Sequence, residues 1–211
     1  MTSSTIELNQ DELKICRELL SSDLNHKEVW ASPQAEKLKK RIKDFYIKVQ
    51  CYRCCYCMQE DVSEHGRDWD IEHVIPQSIE RGFIFEPDNL SVSCTECNGA
   101  KNNVEVRVRK TQSISKSPNS YKIVHPHFDE WGDHLELEGQ YVYHSLSKKG
   151  DFTIFHCKLA RFYQRVLHKK DRIRDQNFSD DLSKLKLVKS EREAIPIIAS
   201  IMSRIKLEEG D

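Results

Sequence analysis

The sequence predicts an α+β fold, with helices at both ends flanking a core of loops and short strands. Three observations predict it. Apolar residues recur at helical spacing before residue 50 and again beyond residue 150. Residues 51–104 lack that spacing and carry two Cys-x-x-Cys pairs instead. The segment HLELEGQYVYHSL, 134–146, alternates as a strand does on either side of Glu138-Gly139, the pattern of a β-hairpin. The chain therefore divides into an N-terminal helical segment (1–50), a ligand-organised core (51–104) and a C-terminal hairpin and helical region (105–211).

In chain order, residues 10–22 form a short helix with Leu13, Cys16, Leu19 and Leu20 on one side. Ser32-Pro33 supplies an N-cap and a proline at the first helical position. The helix that follows carries Leu38, Ile42, Phe45 and Val49 on its apolar face. Residues 105–120, polar and rich in Ser and Lys, read as a mobile connection, followed by KIVH at 122–125. A helix over 153–175 places Leu159, Phe162, Val166 and Ile173 together, and residues 180–208 form one or two more, with Pro196 starting or kinking the last. No internal repeat is present.

Composition narrows the function. With 211 residues the chain can bury its own core. No apolar run approaches the length of a membrane span, and MTSSTIELNQDELK lacks the basic-then-apolar pattern of a signal peptide, so a cytoplasmic protein with no membrane association is expected. In that reducing compartment clustered cysteines point to metal or catalysis rather than disulfides. The net charge of −1 gives no global basic footprint. Local runs are basic at 37–53, 101–122 and 158–174, and acidic at 60–88. Basic runs on helices serve equally as solvated faces, phosphate tracks or partner-facing surfaces.

Half of the eight cysteines fall in CYRCCYC, 51–57. Cys54 and Cys57 share their spacing with Cys94 and Cys97. One tight turn of this kind aims two thiolates at one ion, and two turns complete a tetrahedral, closed zinc shell. Cys51 and Cys54 have the same spacing, so spacing alone leaves the upstream pair open; the favoured set is Cys54, Cys57, Cys94 and Cys97, with Cys51 and Cys55 as packing residues or spare thiols.

Between the pairs lie 36 residues, longer than a simple zinc ribbon needs. They contain WDIEHVIPQS (69–78) and PDNLSVSC (87–94), and Asn98 and Lys101 follow Cys97. Singly, Glu72 is an ordinary solvated acid, His73 a packed histidine, Asn89 a turn residue and Asn98 a surface amide. Together they are a set suited to phosphodiester hydrolysis: an imidazole near neutral pKa to take a proton from water, and oxygen donors for a hard cation. Asp70 stands two residues before Glu72, on the same strand face. No H-E-x-x-H, deaminase pattern or P-loop is present.

Glu-His-Val-Ile-Pro, then Asn-Leu, then Cys-x-x-Cys-Asn-x-x-Lys resembles the HNH endonuclease motif with zinc-binding cysteine pairs, over about residues 51–104. The resemblance implies a ββα-metal core, two strands and a helix clasping one catalytic Mg²⁺ or Mn²⁺. It implies His73 as general base, Glu72 and Asn98 as metal ligands, and Asn89 as the residue holding the base and its loop. Asp70 and Lys101 fall to supporting or phosphate-binding roles. Glu72 replaces the commoner aspartate and Asn98 the commoner histidine, which leaves metal preference open. The segment KIVHPHFDEWGDHL and the helix after the hairpin resemble, more loosely, the HNH nuclease subunits of Septu and retron-associated anti-phage systems, which work with an ATPase. His125, His127 and His134 read as structural residues at the hairpin entrance. The expectation is a DNA endonuclease of a defence complex; the alternatives are an RNA-cleaving relative and a non-catalytic zinc-stapled binding module.

Overall fold

The computed structural model describes residues 4–60, 69–168, 176–185, 187–188 and 190–208. Its contacts define two compact units, one of residues 1–136 with 145–159, the other of 137–144 with 160–211. The predicted mixture of helices and small sheets is present.

In the first unit, α1 (Gln10–Ser21) starts in a capping box: Asn9 Oδ1 accepts from Glu12 N (3.0 Å), and Glu12 Oε2 accepts from Asn9 N (2.8 Å). Its last carbonyls are met from a distance, because the Arg81 guanidinium donates to Leu20 (2.7 Å), Leu19 (3.1 Å) and Ser22 (2.8 Å). A second capping box, Asn25 with Glu28, starts α2 (His26–Ala31). Ser32 then caps a single tight turn at Pro33–Ala35, which leads into α3 (Glu36–Val49). The buried stripe of α3 is Leu38, Ile42 and Tyr46; Val49, expected on that stripe, is exposed.

Strands β1 (Trp69–His73) and β2 (Leu90–Cys94) pair antiparallel, with Trp69 opposite Cys94 and His73 opposite Leu90. Helix α4 (Thr95–Lys101) leaves β2 without a loop, since Cys94 is both the last strand residue and the helix N-cap. These three elements are the ββα core, and α3 and α4 both pack on its strands.

The connection expected to be mobile at 105–120 is instead anchored near its start. Val106 is buried, and Arg107 is buried with its guanidinium satisfied by Glu105 (2.9 Å) and bridged to Glu80 (3.6 Å). Strands β3 (Leu135–Glu138) and β4 (Val142–Ser145) form the predicted hairpin, with Gly139 at φ 62° in the turn. The single helix expected over 153–175 is two: α5 (Lys148–His156) and α6 (Arg161–His168), parted where Lys158 takes φ 51° between buried Cys157 and Leu159. Ile173 lies outside the described residues. Only glycine fits at 150, where a Cβ would meet the His134 carbonyl at 2.1 Å.

The second unit holds α6, α7 (Gln176–Leu185) and α8 (Glu191–Glu208), with Pro196 inside α8. Its core gathers Val142, Ile201 and Met202, and Ser200 Oγ donates to Asp181 (2.8 Å) to tie α8 to α7. No described helix is long and apolar enough to cross a membrane.

Candidate metal centre and catalytic cleft

The sulfurs of Cys54, Cys57, Cys94 and Cys97 all lie within 4.8 Å of one another. A tetrahedral zinc with Zn–S bonds near 2.3 Å needs sulfur separations of about 3.8 Å, and Cys57 and Cys94 Sγ stand 4.0 Å apart. Four thiolates around one point are the donor set of a closed structural zinc site, so the residues fit the ion. Local backbone explains the convergence. Met58 N donates to the Cys54 carbonyl (2.9 Å) with Met58 at φ 58°, which closes the upstream turn. Downstream, Cys97 N donates to Cys94 Sγ (3.4 Å) in the first turn of α4. Cys51 is exposed and outside the group; Cys55 is buried, its amide bonded to the Val92 carbonyl of β2 (3.2 Å).

Helix α4 crosses β1 so that residues three apart on the helix meet residues two apart on the strand. Asn98 Nδ2 donates to Asp70 Oδ2 (2.9 Å), and Lys101 Nζ pairs with Glu72 Oε1 (2.6 Å). Lys101 also donates to the His73 carbonyl (2.9 Å), and the Tyr56 hydroxyl donates to Glu72 Oε1 (3.0 Å). Glu72 and Lys101 are each 1 % exposed. Burial raises the Glu72 pKa, and the Lys101 charge and the two hydrogen bonds oppose the rise. Glu72 Oε2 is buried and has no hydrogen-bond partner among the described residues.

His73 Nε2 lies 3.0 Å from the Ile84 carbonyl. A carbonyl only accepts, so Nε2 carries the hydrogen and the neutral ring keeps its lone pair on Nδ1. Burial pushes the His73 pKa down to about 4; the Lys101 charge acts the same way and the Ile84 hydrogen bond against it. At neutral pH the ring is an uncharged base.

Asn89 is fully buried and does not reach the cleft. Its Oδ1 accepts from Ile75 N (2.7 Å), and its Nδ2 donates to the carbonyls of Ile75 (3.1 Å) and Phe83 (3.0 Å). It thus closes the loop between β1 and β2, and Ile84, which orients His73, is in that loop.

A cleft of about 630 Å³ runs past these groups. Asp70, His73, Asn98 and Lys101 line it; Trp30 and the α3 lysines Lys39, Lys40 and Lys43 form another part of its wall. Glu72 stands behind Lys101 and is not part of the lining. Of the basic run at 37–53, Lys39, Lys40 and Lys43 therefore face the site, whereas Arg41 pairs with Glu12 and Arg53 with Glu60. Of the run at 158–174, Lys169, Lys170, Arg172 and Arg174 lie outside the described residues.

Three participants escaped the sequence reading. Tyr56 holds Glu72 from inside the cysteine run; Ile84 contributes only a carbonyl; Trp30 meets the His73 ring from a short helix. No residue pattern announces any of them. The three downstream histidines are structural, as expected. His125 stacks on Phe128 (4.3 Å, 17°), His127 Nε2 donates to the Leu90 carbonyl of β2 (2.6 Å), and His134 bonds Ser147 (2.7 Å) and Asp129 (3.2 Å).

Comparison with known proteins agrees with this geometry. Residues 54–104 match the family described as HNH endonuclease. The chain is also similar to a Septu protein PtuB from Bacillus thuringiensis, 25 % identical over 135 residues, which are 64 % of this chain and 44 % of that protein. The match thus spans less than half the length of that relative. No solved structure matches.

Proposed function

We propose that the protein is an HNH-type endonuclease that hydrolyses DNA phosphodiester bonds with one Mg²⁺ or Mn²⁺. The observation that carries this reading is a neutral imidazole, fixed by its Nε2–H, in one open cleft with Asp70, Asn98 and a row of lysines. His73 Nδ1 takes the proton of the attacking water. Asp70 and Asn98, which line the cleft with His73, hold the catalytic ion; Glu72, expected as the acidic ligand, is instead sealed behind Lys101 and holds that lysine. The Asp70 carboxylate and the Asn98 amide oxygen, left over when Nδ2 binds Asp70, suit a hard cation. When bound, that ion offsets the negative charge developing on the phosphate and the leaving oxygen. Lys101 holds Glu72 and the β1 backbone in register, and Asn89 holds the loop that orients His73. The four cysteines bind zinc and keep β1, β2 and α4 together. Lys40 and Lys43 contact backbone phosphates, so sequence preference is weak.

The similarity to a Septu protein supports a role in anti-phage defence. On this reading, which rests on the resemblance to Septu nuclease subunits, the nuclease works in the cytoplasm with an ATPase subunit.

Supercoiled-plasmid cleavage by wild type and His73→Ala, with Mg²⁺, Mn²⁺ or EDTA, tests the proposal. Metal-dependent cleavage that vanishes in the variant is expected, and cleavage that survives in it would place the base elsewhere. Matched RNA and DNA substrates of one sequence then decide the nucleic acid.

A further inference from the structure

We infer that Trp30, from a segment outside the matched HNH region, is a positioning residue for His73. The inference rests on the nuclease reading above. A single hydrogen bond from Nε2 to Ile84 fixes one direction of an imidazole but leaves the ring free to swing about that axis. A second restraint is needed if Nδ1 is to meet a water in one orientation. Trp30 supplies it: its ring meets the His73 ring edge-on, with centroids 4.6 Å apart and planes at 80°.

Trp30 is itself held. Val29 beside it is fully buried, and the Asn25–Glu28 capping box fixes the start of the helix both residues belong to. Lys39 Nζ donates to the Trp30 carbonyl (3.0 Å) and lies 5.5 Å from the centre of its ring. Phe85, the residue after the one that binds His73 Nε2, packs on the same indole at 6.0 Å. The two restraints on the base thus meet in one cluster. Because Lys39 is committed to Trp30 and to Glu36 (3.0 Å), its place in the basic run is explained by the indole rather than by substrate.

The experiment compares Trp30→Leu, Trp30→Phe, His73→Ala and wild type. It reads kcat and KM for plasmid cleavage, zinc content, and the imidazole ¹⁵N and ring-proton signals of ¹⁵N-histidine-labelled protein. Trp30→Leu should lower kcat roughly 10- to 100-fold, the scale of a small misplacement of a reacting group. KM should hold, Trp30→Phe should recover most of the rate, and the His73 ring signals should shift in the Leu variant while zinc stays bound. An undiminished kcat in Trp30→Leu, in an enzyme that His73→Ala inactivates, would sink this inference alone. A wild type with no metal-dependent cleavage would sink the nuclease reading and this inference with it. If the Leu variant loses zinc, the Phe variant decides: a zinc-loaded Phe variant as slow as His73→Ala overturns the role, and a near-normal one upholds it.

Discussion

The two ends of α4 make an instructive pair. Its first turn carries Cys97 behind the Cys94 cap; Asn98 follows and Lys101 ends its second turn. The thiolate end closes on ligands from two short turns, each a Cys-x-x-Cys, and needs no other side chain. The polar end is completed by Asp70 and Glu72 across the strand, by Tyr56 from the upstream turn, and by neighbours as distant as Trp30. A closed metal shell is a local construction, whereas an open reaction site needs tertiary neighbours to fix each group. Breaking one end should therefore cost the fold, and breaking the other should cost the reaction.

The largest effect is expected at the thiolate end. Structural zinc contributes on the order of 10–16 kcal/mol in small zinc peptides, as much as the whole stability of a typical domain. Chelation, or Cys54→Ser or Cys97→Ser, should abolish cooperative unfolding of the first unit by calorimetry. Cys51→Ser should keep both zinc and fold, and equal zinc loss in Cys51→Ser and Cys54→Ser would refute the ligand assignment.

At the other end, His73→Ala should lower kcat by roughly 10²- to 10⁴-fold, the usual worth of a general base, with zinc content intact. Lys101→Met should destabilise by about 3–5 kcal/mol in denaturant titration, because it strands the Glu72 carboxylate in the interior. Adding Glu72→Gln should recover much of that loss. The same Glu72→Gln change, compared with Asp70→Asn by Mn²⁺ titration calorimetry, sharpens which carboxylate holds the ion: Asp70→Asn, in the cleft lining, should weaken binding more.

A pH effect follows from His73. Its folded pKa lies below its unfolded value, so the unfolded chain binds the proton first as pH falls. Its contribution to stability is complete above about 6.5 and is lost as pH drops to about 4. His125 and His127, also held down by burial, act in the same direction. The difference in pH slope between wild type and His73→Gln isolates His73, and identical slopes would show that its ring is not shielded as described. The smallest effect is expected at the rim, where Lys40→Ala and Lys43→Ala should each weaken DNA binding and reduce its salt slope by about one.

Much of this was legible in the residues. The cysteine spacing, the Ser32-Pro33 cap and the hairpin turn are all short-range patterns, and each has its counterpart in the structure. The failures share a different cause. Nothing local distinguishes a Cys-Lys-Leu that continues a helix from one that breaks it, yet Lys158 turns left-handed between buried Cys157 and Leu159. Arg107 reads as part of a polar, mobile connection because nothing in its own segment announces its burial or its bridge to Glu80. Asn89 and Asn98 are the same residue type and nothing local separates them; the resemblance gives them different roles, and the fold seals one inside a loop and turns the other to the cleft.

Helix α4 is seven residues long, about half the length at which a helix holds together alone in water. It exists because the cysteines at its start are gathered to one point. Asn98 and Lys101 depend on that same short helix for their places. On this reading a newly made chain is harmless until it is metallated, and the cell's zinc supply, rather than the catalytic ion, sets the moment at which a DNA-cutting centre first comes into being.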